Sequence, residues 1–595
     1  MAELKNRSEM DKSRMWKLSD IIKDAAEFDA LYEETRKMAD EYSKLAGKVK
    51  EDPRKAIRDL FKLEYNAEKL YVYAHMHKDE DGMNNEALVE AGRTQQLSVE
   101  VRAKTSFLQP ELLDMEEAEL QALIDDPEMR DYDVFVKDVL RSKPHSLPAE
   151  QEKLMAMAGE VRGTAQEAFG ALNNVDLPLP KTLNEQGEME QLTPAGYGRA
   201  IKSRDRAVRA DAFKGMMNAY KAFGATITAL YAGSVKGDRF DAQVRHFNSC
   251  REQSLFPDQI PLEVYDGLID SVHEALPTLN EYLGIRKELL KLDELHLYDL
   301  YVPIIENFDM EMTYDQAFDL VIEGLKPLGE DYQGYLKEAR ENGWVDVYEN
   351  KNKRGGAYSW GVYGTHPYVL LNHTDDLGGM TTLAHELGHA MHSLLSNRNQ
   401  PFAKAGYSLF VAEVASTCNE VLMMRHLLKK YADNKVAKAF ICNQLLEEFR
   451  TTVFRQTMFA EFEKNAHAML ESGEPLTMDS LSKMYYGLNE AYYGSACKVD
   501  EEISSEWMRI PHFYGQFYVY KYATGFSCAV AIADRILKLG DEAVKDYKKF
   551  LSAGGSVPPI EALKLAGVDI SKPETVKSAL NVFKETVDTL KECLK

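Results

Sequence analysis

Positive charge is in short supply in this chain: 72 Lys and Arg stand against 96 Asp and Glu, a net charge of −24. Phosphate backbones and anionic lipid surfaces are held by clustered Lys and Arg, so the balance argues against nucleic acid and membranes as partners. Long apolar runs are lacking too. No stretch of 18 apolar residues occurs, and the opening residues MAELKNRSEMDKSRMW carry no apolar core of signal-peptide length, which makes the cytoplasm the expected compartment. Cysteine is scarce and unpatterned. Cys250, Cys418, Cys442, Cys497, Cys528 and Cys593 show no CxxC spacing, and most sit among apolar neighbours, as buried free thiols do. No repeat, low-complexity tract or flexible linker marks a domain boundary.

The 595 residues, 45% hydrophobic and 28% charged, describe a soluble globular chain long enough to bury several cores. Helical periodicity dominates. Phe28, Leu31, Tyr32, Thr35, Met38, Tyr42 and Leu45 form one apolar stripe that stops at Gly47, and Asp52-Pro53 then caps and opens a second helix. Further helices are expected over 86–107, 116–125, 130–141 and 149–172, then over 205–235, 260–290 and 313–340. Between them, 175–192 reads as a small hairpin around Asn184–Gly187. The fold class predicted is mainly α, with an N-terminal helical domain over 1–200 and a second domain over 201–595.

The pattern changes at Trp344–Tyr348 and Tyr358–Asn372, which are aromatic and β-branched with interspersed glycines. A short sheet there would feed the next helix, and an edge strand could pair with an extended peptide through its free N–H and C=O groups. That next helix carries the chemistry. Thr382–Asn397, TLAHELGHAMHSLLSN, places His385, Glu386 and His389 in an HExxH motif, of which composition alone predicts roughly 0.05 copies in such a chain. Residues 385 and 389 fall about 40° apart and one turn along, so both imidazoles can reach one Zn²⁺, while Glu386 can take a proton from bound water that the metal has acidified. Met380, Leu383, Ala384, Leu387, Met391 and Leu394 make an apolar stripe on the opposite side.

A catalytic zinc usually has three protein ligands, so a third is sought downstream. His392 is about 10 Å along the axis from His385, too far to share the ion comfortably, and reads better as a substrate-binding or orienting group. Glu413, set among Phe410, Val411 and Val414, is the better candidate, because an acid among apolar neighbours needs a partner or a metal. Glu420 is the reserve, either a solvated acid or a group that holds an imidazole in place.

HELGHAMHS followed by FVAEVAST resembles the oligoendopeptidase F branch of the thimet oligopeptidase family of zinc peptidases. The likeness continues through IPLEVYDGLIDSVHEALP, LDELHLYDLYVPI, GAYSWGVYGTHPYVLLN, FRTTVFRQTMFAEFE and IPHFYGQFYVYKYATGFS, nearly the whole chain from about residue 20. It implies a two-lobed helical shell around a deep channel, with a small sheet beside the HExxH helix. It also implies one Zn²⁺ per chain on His385, His389 and Glu413, Glu386 as general base, and cleavage of short peptides within the chain. By the same resemblance, a late histidine and tyrosines steady the oxyanion. The matching block here runs from His512 to Tyr522, with spacing shorter than in thimet-like members. Tyr514, Tyr518 and Tyr522 would share one helical face, and Tyr522 with His512 and Tyr514 is the favoured set. The expected function is a zinc metalloendopeptidase of short unfolded peptides, with 201–595 as its catalytic domain. A zinc exopeptidase and a non-enzymatic peptide-binding shell are the alternatives.

Overall fold

The computed structural model describes residues 4–305 and 310–595. Helices make up most of it, and among the described residues there are two small sheets. The chain divides into two compact units, each assembled from three stretches of sequence: 1–146, 309–426 and 532–568 in one, and 147–308, 427–531 and 569–595 in the other. A linear cut near residue 200 falls inside the second unit.

The first unit opens with the helices expected from periodicity: Ala25–Ser43, Pro53–Glu80, Asn85–Thr105, Glu117–Asp125 and Asp133–Ser142. Asp52 accepts from the Lys55 N–H, capping the helix that Pro53 begins. Phe28, Tyr32, Ile57, Leu60 and Leu63 join one core with Val362, Tyr368 and Leu370. These last three belong to the region of the three-stranded sheet, ordered β3 (Val345–Asp346), β5 (Tyr368–Leu370), β4 (Tyr358–Trp360), with β3 parallel and β4 antiparallel to the centre. The outer side of β3 is occupied by the N-terminal segment, since Val347 N–H donates to Arg14 O and Lys17 N–H to Gly343 O. Buried Asp346, held between Arg7 and Lys353, secures that edge. This leaves β4 as the outer strand on the other side. The region predicted as one periodic run over 313–340 is two helices, Tyr314–Gly324 and Glu330–Glu341, because Pro327 and Gly329, at φ 93°, close the first and reset the chain.

In the second unit, β1 (Lys181–Leu183) pairs antiparallel with β2 (Met189–Gln191), and Gly187 supplies the left-handed turn residue. The run over 205–235 breaks at Phe223 into Arg206–Ala222 and Gly224–Val244; a β-carbon at Gly224 would meet the Met478 side chain. The remaining helices include Leu262–Leu289, Lys435–Glu448, Arg455–Glu471 and Met478–Tyr493. No helix is long and apolar enough to cross a membrane among the described residues.

Candidate active site

The motif helix spans Leu377–Asn399 and is capped by Asp376, whose side chain accepts from the Gly379 N–H. Met380, Leu383, Ala384, Leu387, Met391 and Leu394 are all buried, so the apolar stripe anchors the helix in the first unit and turns the ligand face outward. Gly361, just after β4, lies against Ser393 of this helix so closely that a β-carbon there would overlap it. The sheet and the motif helix are therefore one packed element.

A second helix, Leu409–Lys430, carries the acid residues. Its backbone runs directly against Gly388, and Asn419 bridges the two by donating to the Ala384 carbonyl at 3.1 Å while accepting from the Tyr332 hydroxyl. This contact brings Glu413 over the histidines. Its Oε2 lies 3.4 Å from His385 Nε2 and 3.3 Å from His389 Nε2, and one donor atom from each of the three residues falls within 4.8 Å of the others. Four ligands at about 2.0–2.1 Å around a tetrahedral Zn²⁺ are about 3.3–3.4 Å apart, so the donor set fits such an ion; N–H···O hydrogen bonds are usually shorter, about 2.7–3.2 Å. Two imidazoles and one carboxylate are also a ligand set that catalytic zinc sites use.

Around this triangle, Glu420 sits on the other side of the first ring, its Oε1 3.2 Å from His385 Nδ1. There it can accept Nδ1–H and leave Nε2 free to bind. Ser416 donates its hydroxyl to Glu413 Oε2 at 3.0 Å. Burial pulls the His385 imidazole down, but Glu420, Glu386 and Glu413 together carry it up to about 9. Burial pushes Glu413 the other way, and His389, His385 and Ser416 overcome it to hold the carboxyl at about 2. Glu386 is buried, and its burial lifts its pKa above the ordinary carboxylate range despite the two histidines.

His392 lies elsewhere. It is buried, stacked on Tyr407 at 3.7 Å and packed on Phe550, with Nδ1 lacking a partner, and burial lowers its pKa to about 3. It is a neutral packing ring. Ser416 and Asn419 had no separate signal in sequence; only the spacing of small residues in VASTCN offered a hint.

The His512–Tyr522 block, in the second unit, is not one helix. A 3-10 turn over Pro511–Tyr514 is followed by a break at Phe517, whose φ is +47°, and an α-helix begins only at Tyr520. The predicted shared face of Tyr514, Tyr518 and Tyr522 is therefore lost. Tyr518 and Tyr522 keep company with His512, with ring centroids 5.4 to 6.2 Å apart. Tyr514 turns away and stacks on Phe169 at 4.4 Å, its hydroxyl buried and unpartnered. The break itself is held by buried Glu463, which accepts the Phe517 N–H.

Residues 200–582 match peptidase family M3, and 111–178 match the family described as oligopeptidase F. The chain is 41% identical to Oligopeptidase PepF of Bacillus subtilis, over 100% of this chain and 89% of that protein. It is 37% identical to Group B oligopeptidase PepB of Streptococcus agalactiae, over 98% and 97%. The solved structure of oligoendopeptidase-F from Enterococcus faecium aligns with a TM-score of 0.73 at 34% identity, covering 96% of this chain and 99% of that one. A solved structure from Chlamydophila abortus reaches 0.93 at 33% identity, over 99% and 100%. An HExxH helix, a carboxylate drawn onto its two imidazoles, and relatedness along the full chain converge: the chain belongs to peptidase family M3, in its oligoendopeptidase F group of metalloendopeptidases.

Proposed function

We propose that the chain hydrolyses internal peptide bonds of short unfolded peptides, with one zinc ion held by His385, His389 and Glu413 and with Glu386 as general base. The pair of His–Glu413 separations, 3.4 and 3.3 Å, supports this reading most directly, since they match the edges of a tetrahedral zinc site. Bound there, zinc would supply Lewis acidity, acidifying water and polarising the scissile carbonyl. Glu386 takes the proton of the attacking water and returns it to the leaving amine. Glu420 fixes the His385 ring by accepting Nδ1–H.

His512 and Tyr522 are assigned to the developing oxyanion, with Tyr514 the third candidate. Family resemblance supports this assignment, and so does the grouping of the His512, Tyr518 and Tyr522 rings. The outer strand β4 takes the substrate backbone in extended form, which restricts substrates to chains without structure of their own. A helical shell around a channel would impose the same restriction by size. Six free cysteines suit a reducing compartment, the cytoplasm.

The experiment uses internally quenched peptides blocked at both ends, with and without chelator, beside a folded protein and its unfolded form. Cleavage of the short blocked peptides, stopped by chelator and restored by zinc, is the expected result. Cutting only of peptides with a free terminus would make the enzyme an exopeptidase, and equal cutting of the folded protein would refute the substrate class.

A further inference from the structure

Far from the metal ligands in sequence, the second unit buries an excess of positive charge. Arg286 and Arg450 share one carboxylate, Glu447, at 3.0 and 2.6 Å, and Arg455 and Arg509 share another, Glu506, at 2.7 and 3.5 Å. Three largely buried guanidiniums, with the quarter-exposed Arg509 beside them, thus face two acids. The next buried acid gives no relief, because Asp299 is itself held by Arg206 and Arg209. Arg286 and Arg450 are each 1% exposed, where an uncompensated charge is costly.

The backbone is shaped to bring two of these cations together. Phe449–Phe454 forms a π turn, and the Arg455 N–H reaches the Arg450 carbonyl five residues back. On an α-helix, positions five apart diverge by about 140°. The wider π turn sets them on one side, and such turns recur at functional sites. Arg450 and Arg455 line a cavity of 20 Å³ together with Tyr197, Tyr301, Tyr493, Asn489 and the Glu506 carboxylate that Arg455 holds. Arg450 commits Nε and Nη2 to Glu447, and Arg455 commits Nη2 to Glu506. The remaining N–H groups, Nη1 of Arg450 and Nε and Nη1 of Arg455, meet no protein acceptor among the described residues. Burial lifts the Tyr493 phenol to about 12, so its hydroxyl stays a proton donor.

We infer that this cavity is a binding site for a small monovalent anion of halide size, with chloride as the physiological ligand. One water needs about 10–15 Å³, so the space takes a single monatomic ion and excludes phosphate, sulfate or a peptide carboxylate. Water could accept from the N–H groups but would leave the excess charge in place. A halide does both.

The test uses the zinc-loaded full chain at constant ionic strength, with sodium gluconate replaced stepwise by sodium chloride or bromide. The thermal midpoint is expected to rise and saturate with either halide. Crystals soaked in bromide are expected to show an anomalous peak between Arg450 and Arg455. Tyr493→Phe removes one donor without altering any charge and should raise the half-saturating chloride several-fold; Glu506→Gln removes competing negative charge and should lower it. A midpoint indifferent to halide, a bromide peak absent from the cavity, or a half-saturation that neither variant moves would each overturn the assignment.

Discussion

Gly388 of the motif helix lies against Ser416 of the acid helix with no room for a side chain: a β-carbon at Gly388 would stand 2.5 Å from Ser416 Cα and 2.7 Å from the Ala415 carbonyl oxygen. The neighbours are backbone, which cannot rotate away. Because this contact helps to bring Glu413 onto the histidines, Gly388→Ala should drive the helices apart. Overpacking of this kind costs about 1–3 kcal/mol, so zinc affinity should fall roughly 10- to 100-fold while the helical circular dichroism of the chain persists. Zinc content measured against a competing chelator checks this; wild-type affinity would show that the helices can part without moving Glu413.

Glu386→Gln preserves the shape of the side chain and removes the base. Metal content should be unchanged, and turnover of a quenched peptide should drop about 10²- to 10⁴-fold, the usual contribution of a positioned general base. Undiminished kcat with metal bound would mean that another group takes the proton.

His392 predicts an acid-sensitive fold. Its pKa is about 3 in the folded chain and about 6.5 unfolded, so between these values the unfolded state binds more protons and stability rises with pH. The contribution is fully present above pH 6.5 and is lost as the pH falls toward 3. From pH 7.5 to pH 5 the loss is about 2 kcal/mol from this ring alone. Denaturant unfolding of metal-free wild type and of His392→Phe should show the variant losing about that much less over the same interval. Parallel losses would show that the ring is already charged in the folded chain.

Glu463 is expected to act as a positioning residue for the His512–Tyr522 block, since its carboxyl oxygen holds the Phe517 N–H at the left-handed break. Glu463→Ala leaves that buried donor unsatisfied, a cost of about 1–3 kcal/mol. The expected effect is a fall in kcat with little change in KM or zinc content, while Glu463→Gln, which keeps an acceptor oxygen, recovers most of the rate. If both variants lower stability but neither changes kcat, the block does not take part in the reaction.

Much of this was legible in the residues because it is local. His385 and His389 share a helix face by one-turn spacing, and the stripe from Met380 to Leu394 is as buried as its period implied. The hairpin at 181–191 and the cap at Asp52 likewise follow from turn and capping chemistry within a few residues. The residues from His512 to Tyr522 were misread for the complementary reason. Their four-residue spacing suits a helix, but a carboxyl oxygen 54 positions earlier captures the Phe517 N–H and breaks it, which periodicity cannot register.

What the sequence determined by itself was the histidine pair and the helix that bears it, since hydrogen bonds and side-chain periodicity within one element fix both. The sequence favoured Glu413 with Glu420 in reserve, but only the tertiary structure decided how each acid meets them. Glu413 and Glu420 lie on the same helix seven residues apart, and the contact of Gly388 with Ser416 sets the height at which that helix crosses. It puts Glu413 on the two Nε2 atoms and Glu420 on Nδ1 of His385. Helix crossing depends on close packing between distant segments, and a glycine in one chain segment records the space but not the neighbour that fills it.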